Sequence, residues 1–173
     1  MNPDPQASAV GAATLATLRA FPDLLEAHFA LFPQSHRHWA PASWDGVPSE
    51  ALTAIEQLCH VRDIEIEGYQ RRIERTLAER NPFLPSMDTD ALARDRRYAI
   101  ADPGEVLTSF REARRRTVAI VERLTPGQLE RPADFEGYGP VTLRALIHYL
   151  CSHDQQHLAG LQWLLGKVWS GQK

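Results

Sequence analysis

Four stretches of the chain carry apolar residues at alternating three- and four-residue steps, the spacing that lines one face of an α-helix. The first steps through Leu15, Leu18, Pro22, Leu25, Phe29 and Phe32. That seam, from about Ser8 to Phe32, reads as one helix kinked at Pro22, which frees the carbonyl of Leu18. Two short helices are the alternative. The second stretch runs from an N-cap at Ser49 to about Arg80, with a stripe of Leu52, Ile55, Cys59, Ile66, Ile73 and Leu77 and with Tyr69 alongside. Thr53 and Glu56 add to its start signal without a clean capping box, and about 30 residues of helix would be roughly 45 Å long. The third begins at Pro103, a first-turn position that proline tolerates. Its stripe is Val106, Phe110, Ala113, Thr117, Ile120, Val121 and Leu124. The fourth, Leu143–Val168, repeats the steps through Leu143, Leu146, Leu150, Leu161, Leu164 and Val168.

The segments between these stretches are rich in helix breakers. Residues 33–48 hold three prolines, a glycine and two tryptophans and read as a loop. Trp39 and Trp44 would cap the end of a bundle there, and His36 and His38 are poor ligand candidates on such a segment. Asn81-Pro82 stops the second helix. The connection 81–102 is far longer than a bundle turn requires, long enough to run back along the bundle and leave the third helix parallel to the second. Its Arg94–Arg97 cluster is solvated or holds an anionic substrate tail. Residues 125–142 read as two short turns with Gly137 and Gly139. Neither a βαβ alternation nor a useful period-2 run is present. The fold class is therefore all-α: a four-helix bundle with one long crossover between its second and third helices. Residues 1–173 form a single domain on this reading, with the Pro-rich polar residues 1–7 disordered.

Composition narrows the function classes. The 173 residues are 43% hydrophobic and 24% charged, as in ordinary soluble globular proteins. A net charge of −3 offers no basic field for nucleic acid or an anionic membrane. The run Arg111, Arg114, Arg115 and Arg116, without interleaved aromatics, reads as a solvated helix face. Cys59 and Cys151 form no CxxC pair and read as small buried filler. No run approaches the roughly 18 apolar residues of a membrane span. The start MNPDPQASAV lacks a basic n-region, so the expected location is cytoplasmic.

The fourth stripe has a gap, and the same steps fill it with His153 and His157. Residues four apart on a helix have Cβ atoms roughly 5–6 Å apart, a spacing at which two imidazoles can share one metal ion. Core histidines bonded to a facing helix are the alternative. His148, five residues before His153, points away by about 140°. His60 lies just off the second stripe, on the flank of Glu56, Asp63 and Glu67, and taken alone reads as a surface histidine.

The pieces HVRDIE (His60–Glu65) and HDQQHLAGL (His153–Leu161), with the LTPGQLERP approach and the Thr142-Leu143 start of the last helix, resemble the DinB/YfiT-like family over nearly the whole chain. The resemblance implies a bundle of up-down-down-up connectivity. It also implies a metal held by one histidine of the second helix and two of the last, here His60, His153 and His157. Three neutral imidazoles would leave a divalent ion its full charge and an open position for water or substrate, as in catalytic sites. Zinc or nickel suits imidazole best, with manganese or iron as alternatives. Asp63 and Asp154 are the carboxylates nearest in sequence, each a candidate to orient a ligand or act as general base.

Three functions are consistent with this set. Members of the family use mycothiol or bacillithiol, so the favoured one is a metal-dependent transferase that adds a low-molecular-weight thiol to a small electrophile. The second is a metal-dependent hydrolase using metal-bound water. The third is a non-catalytic metal-binding stress-response protein. A homodimer is expected from helix faces that a four-helix bundle leaves partly apolar.

Overall fold

Pro22 does not split the first helix. In the computed structural model, which describes residues 9–171, α1 (Ala12–Ala30) runs unbroken through it. The seam from Leu15 to Phe32 is buried, joined by Phe21. The expected disorder of residues 1–7 concerns positions outside the described residues. Proline at position 22 cannot donate to the Leu18 carbonyl, and that oxygen accepts instead from Arg114 Nη1 at 3.2 Å.

Helix α2 consists of three consecutive segments: α-helical Ala54–Asp63, π-helical Ile64–Gln70 and α-helical Arg71–Ala78. It starts later than the sequence predicts. Thr53, not Ser49, is the N-cap, and Glu56 accepts from its backbone N–H at 2.9 Å and its hydroxyl at 2.7 Å. Residues 49–52 are thereby left outside the helix. The π-helical segment shifts the phase of the buried face, so Ile66 is only half-buried while Glu65, Gly68 and Tyr69 are inside.

The connection to the next long helix contains β1 (Phe83–Leu84), a short helix α3 (Thr89–Asp95) and a single turn at Tyr98–Ile100. Helix α4 (Pro103–Val121) is capped by Asp102, whose Oδ1 accepts from Glu105 N at 2.9 Å. A one-turn helix α5 (Pro126–Leu129) precedes β2 (Pro132–Phe135) and β3 (Gly139–Thr142), which lead into α6 (Leu143–Trp169). The three strands form one small sheet, with β1 parallel to β2 and β2 antiparallel to β3. An all-α reading is corrected to that extent. Strands of two to four residues are too short to display a period-2 pattern.

The core is divided in two. One cluster joins the start of α1 (Leu15, Leu18), the end of α2 (Tyr69, Ile73), the end of α4 (Val118, Val121) and the start of α6 (Leu143, Leu146, Leu150), and the sheet packs on it through Leu84, Ala133 and Phe135. The other joins the end of α1 (Phe21, Leu25, Phe29), the start of α2 (Ile55, Leu58, Cys59), the start of α4 (Val106, Phe110) and the end of α6 (Leu158, Leu161, Leu164). On α2, α4 and α6 the change from one cluster to the other falls where polar groups are buried. Arg114 was expected on a solvated face and is instead only 2% exposed. Its guanidinium is bidentate to Glu65 (3.1 and 2.9 Å) and to Asp154 (2.7 and 2.9 Å), and it lies near the rings of Phe21 and Phe110. Thr117 Oγ1 donates to Glu65 at 2.5 Å. No described helix is long and apolar enough to cross a membrane.

Candidate metal centre

His60 comes from the first segment of α2, and His153 and His157 come from adjacent turns of α6. The three side chains converge beside the buried ionic layer. His153 Nε2 stands 3.1 Å from His60 Nε2 and 3.1 Å from His157 Nε2, and one ring nitrogen of each histidine lies within 4.8 Å of the other two. His60 and His157 are buried and His153 is half-buried. Burial is the main reason that all three imidazoles lose basicity. It pushes His153 down to about 3, helped by the charges of His60, Arg114 and Arg72, and it holds His60 and His157 below the usual histidine range. The rings are neutral at pH 7.

The tautomer of His157 follows from its neighbours. The Gln57 amide nitrogen donates to Ser49 Oγ at 2.9 Å, Leu52 O at 3.3 Å and Glu50 O at 3.4 Å. Carbonyl oxygens cannot donate, so the Gln57 Oε1 end must face His157, and it accepts from Nδ1–H. The proton on Nδ1 leaves a lone pair on His157 Nε2. A neutral His153 Nε2 cannot satisfy both neighbours at 3.1 Å. As an acceptor it would face the lone pair of His157, and as a donor it has one proton for two nitrogens. Three ring nitrogens gathered within 4.8 Å of one another on neutral imidazoles are a donor set that a cation would match, and three imidazoles suit a divalent transition metal. Gly160 keeps this arrangement possible: a Cβ there would lie 2.3 Å from Ser49 Oγ and 3.0 Å from Gln57 Nε2.

The carboxylates nearest in sequence are not those at the site. Asp63 is occupied: Oδ1 accepts from Arg62 Nε at 2.7 Å and pairs with Arg96 Nη1 at 2.9 Å, and Oδ2 accepts from Tyr98 Oη at 2.6 Å. Both oxygens of Asp154 are on Arg114, although burial pushes its carboxyl up to about 7 against the pull of that guanidinium. Neither aspartate hydrogen-bonds to a histidine of the triad. The carboxylate that reaches it is Glu50, with Oε2 3.2 Å from His157 Nε2 and Oε1 3.9 Å from His60 Nε2. Glu50 is absent from the sequence reading because a helix start at Ser49 would put it in a first helical turn. Gln57 was missed as well. Its signal is positional: it lies three residues before His60, on the same helix face.

The other histidines lie elsewhere. His148 is exposed, and His36 Nδ1 is hydrogen-bonded to Ser35 Oγ. Both cysteines behave as filler, with burial pushing each thiol up to about 11. Trp44 stacks on Trp163 with ring centroids 6.1 Å apart, closing that end of the bundle.

A comparison with curated proteins finds no match. Among solved structures, the chain is similar to YfiT from Bacillus subtilis, described as a probable metal-dependent hydrolase with an unusual four-helix bundle topology. The TM-score is 0.78 at 23% identity, and the match covers 100% of this chain and 95% of that one. This likeness establishes the four-helix bundle. A sequence model of the DinB superfamily matches residues 17–161, a span that holds His60, His153 and His157, and the chain belongs to that superfamily.

Proposed function

We propose that the protein is a metal-dependent hydrolase whose ion is held by His60, His153 and His157 and whose proton acceptor is Glu50. The observation that carries the reading is the Glu50 carboxylate 3.2 Å from a triad nitrogen that bears a lone pair. A divalent cation held by His60, His153 and His157, zinc or nickel by donor type, would supply a Lewis acid able to lower the pKa of water towards about 7. Glu50 is half-exposed at the edge of the centre. It can take the proton of an attacking water and return it to the leaving group of an ester or amide. Gln57 holds His157 in the tautomer that faces the centre.

Thiol transfer is the second reading, favoured by the wholly neutral donor set, which leaves an ion enough charge to hold a thiolate. A small electrophile and a low-molecular-weight thiol would then be the substrates. The split core supports an up-down-down-up connectivity, because each cluster takes the start of α1 and α6 with the end of α2 and α4, or the reverse.

Elemental analysis of the purified protein beside His60→Ala, His153→Ala and Glu50→Gln tests the assignment. The wild type and Glu50→Gln should carry the ion, and the two histidine variants should lose it while remaining helical. Glu50→Gln should slow ester or amide turnover by about 10²–10⁴-fold. Equal metal in every preparation, or none in any, overturns the site. Turnover that requires an added thiol replaces hydrolysis with the transferase reading.

A further inference from the structure

Arg72 and Arg114 are both buried, 7% and 2% exposed, and their charges are met in opposite ways. For Arg114, burial alone would weaken the charged form, but Asp154 and Glu65 outweigh it and the net shift is upward. Arg72 has no carboxylate partner among the described residues. Its one hydrogen bond runs from Nη2 to the Pro85 carbonyl at 3.3 Å, and burial leaves its pKa lowered. The rings of Phe135 and Tyr69 lie against the guanidinium, with centroids 4.4 and 5.2 Å from Cζ. Nε and Nη1 have no hydrogen-bond partner among the described residues and keep contact with solvent. A guanidinium flanked by aromatic rings but with open in-plane N–H groups is prepared for a planar, two-pronged acceptor.

Arg72 lines a cavity of about 340 Å³, together with Glu67, Gly68, Arg71, Arg75, Pro85 and Ser86. Gly68 keeps the guanidinium edge clear, since a Cβ there would lie 3.2 Å from Nη1 and 3.3 Å from Met87 Sδ. The other charges are mostly spoken for. Arg75 is bidentate on Glu79, and Glu67 pairs with Arg96. Arg71 is exposed and has no partner among the described residues, so the cavity carries an excess of positive charge. An uncompensated buried charge is costly, and a bound anion would offset it.

We propose that this cavity is an oxyanion subsite that takes the carboxylate or phosphate group of a small molecule, held by the free edge of Arg72 with Arg71 at the mouth. Tyr69, whose ring centroid is 6.1 Å from that of His153, links the subsite to the metal centre. The proposal goes beyond the hydrolase reading and does not depend on a metal.

Thermal melting of the full chain tests it, with inorganic phosphate or acetate titrated against chloride at equal ionic strength. The wild type should melt higher with one of these anions in a saturable way, and the anion that acts at lower concentration names the group. His153→Ala should respond like the wild type, which separates this site from the metal centre. Arg72→Met should bind about tenfold to a hundredfold more weakly. Without anion it should melt at or above the wild type, because it replaces an uncompensated charge with an apolar chain. Gly68→Ala keeps the charge but crowds Nη1, and it should weaken the response too, which keeps the test intact if Arg72→Met does not fold. An Arg72→Met response equal to that of the wild type, or no wild-type rise beyond chloride, overturns the proposal.

Discussion

Replacing Gln57 by leucine isolates the contribution of one buried amide to metal binding. Gln57 and His157 are both 0% exposed, so no water replaces the lost acceptor. His157 then has two choices. It can keep an unpaired buried Nδ1–H, at a cost of about 1–3 kcal/mol. Alternatively it can move the proton to Nε2, which removes a lone pair from the centre. Both outcomes penalise the loaded state, which demands Nδ1–H and a bare Nε2. The lost bonds to Ser49, Leu52 and Glu50 affect loaded and metal-free protein alike and largely cancel from the affinity. Metal affinity should therefore fall by about tenfold to a hundredfold. Gln57→Glu separates the two effects. A carboxylate still accepts from Nδ1–H but faces the carbonyls of Glu50 and Leu52, so melting temperature should drop while metal affinity holds. Competition with a chromophoric chelator reads the affinity, and circular dichroism reads the melting. Folded Gln57→Leu that binds metal within about twofold of the wild type would refute the reasoning.

Two further outcomes follow from the buried charges. Arg114→Ala strands Glu65, Asp154 and the Leu18 carbonyl, and it should cost about 3–5 kcal/mol in urea unfolding; a loss below about 1 kcal/mol contradicts the buried ionic layer. Metal-free protein should lose stability as pH falls below 6.5, because unfolded histidines take up protons there while folded His153 resists down to about 3. His153 alone should contribute about 1–2 kcal/mol of that loss by pH 5, read as a shallower pH dependence in His153→Ala. Identical pH profiles for the two proteins would contradict a neutral His153 in the folded state.

The long helices, His153 and His157 were legible because burial imposes a period, whereas His60 reads alone as a surface histidine and joins them only through the family resemblance. Leu15 through Phe32 and Leu143 through Leu164 lie inside as their spacing requires, and the gap in the last stripe marked His153 and His157. What periodicity cannot register is a change of pitch or a charge turned inward. The wide turn at Ile64–Gln70 moved Glu65 inside and Ile66 outward, and Arg114 looks in sequence like its exposed neighbours Arg115 and Arg116. Its burial follows from two carboxylates and a proline-freed carbonyl on three other helices, none of which is local. Glu50 was hidden because Ser49 and Thr53 are both plausible caps, and only the contacts of Glu56 decide between them.

The π-helical turns give α2 two independent registers. A straight α-helix turns about 100° per residue, so a change of chain length at one end rotates everything beyond it. Here the widened stretch lies between His60 and Arg72 and takes up the mismatch. Loss of one residue within it would tighten the coil to ordinary α-helical pitch and leave Arg72 and Ile73 close to their present directions, with His60 in place. The widened stretch thus lets the chain between His60 and Arg72 gain or lose a residue while the two ends of the helix keep their facing, so a length change there need not disturb either of the two proposed sites.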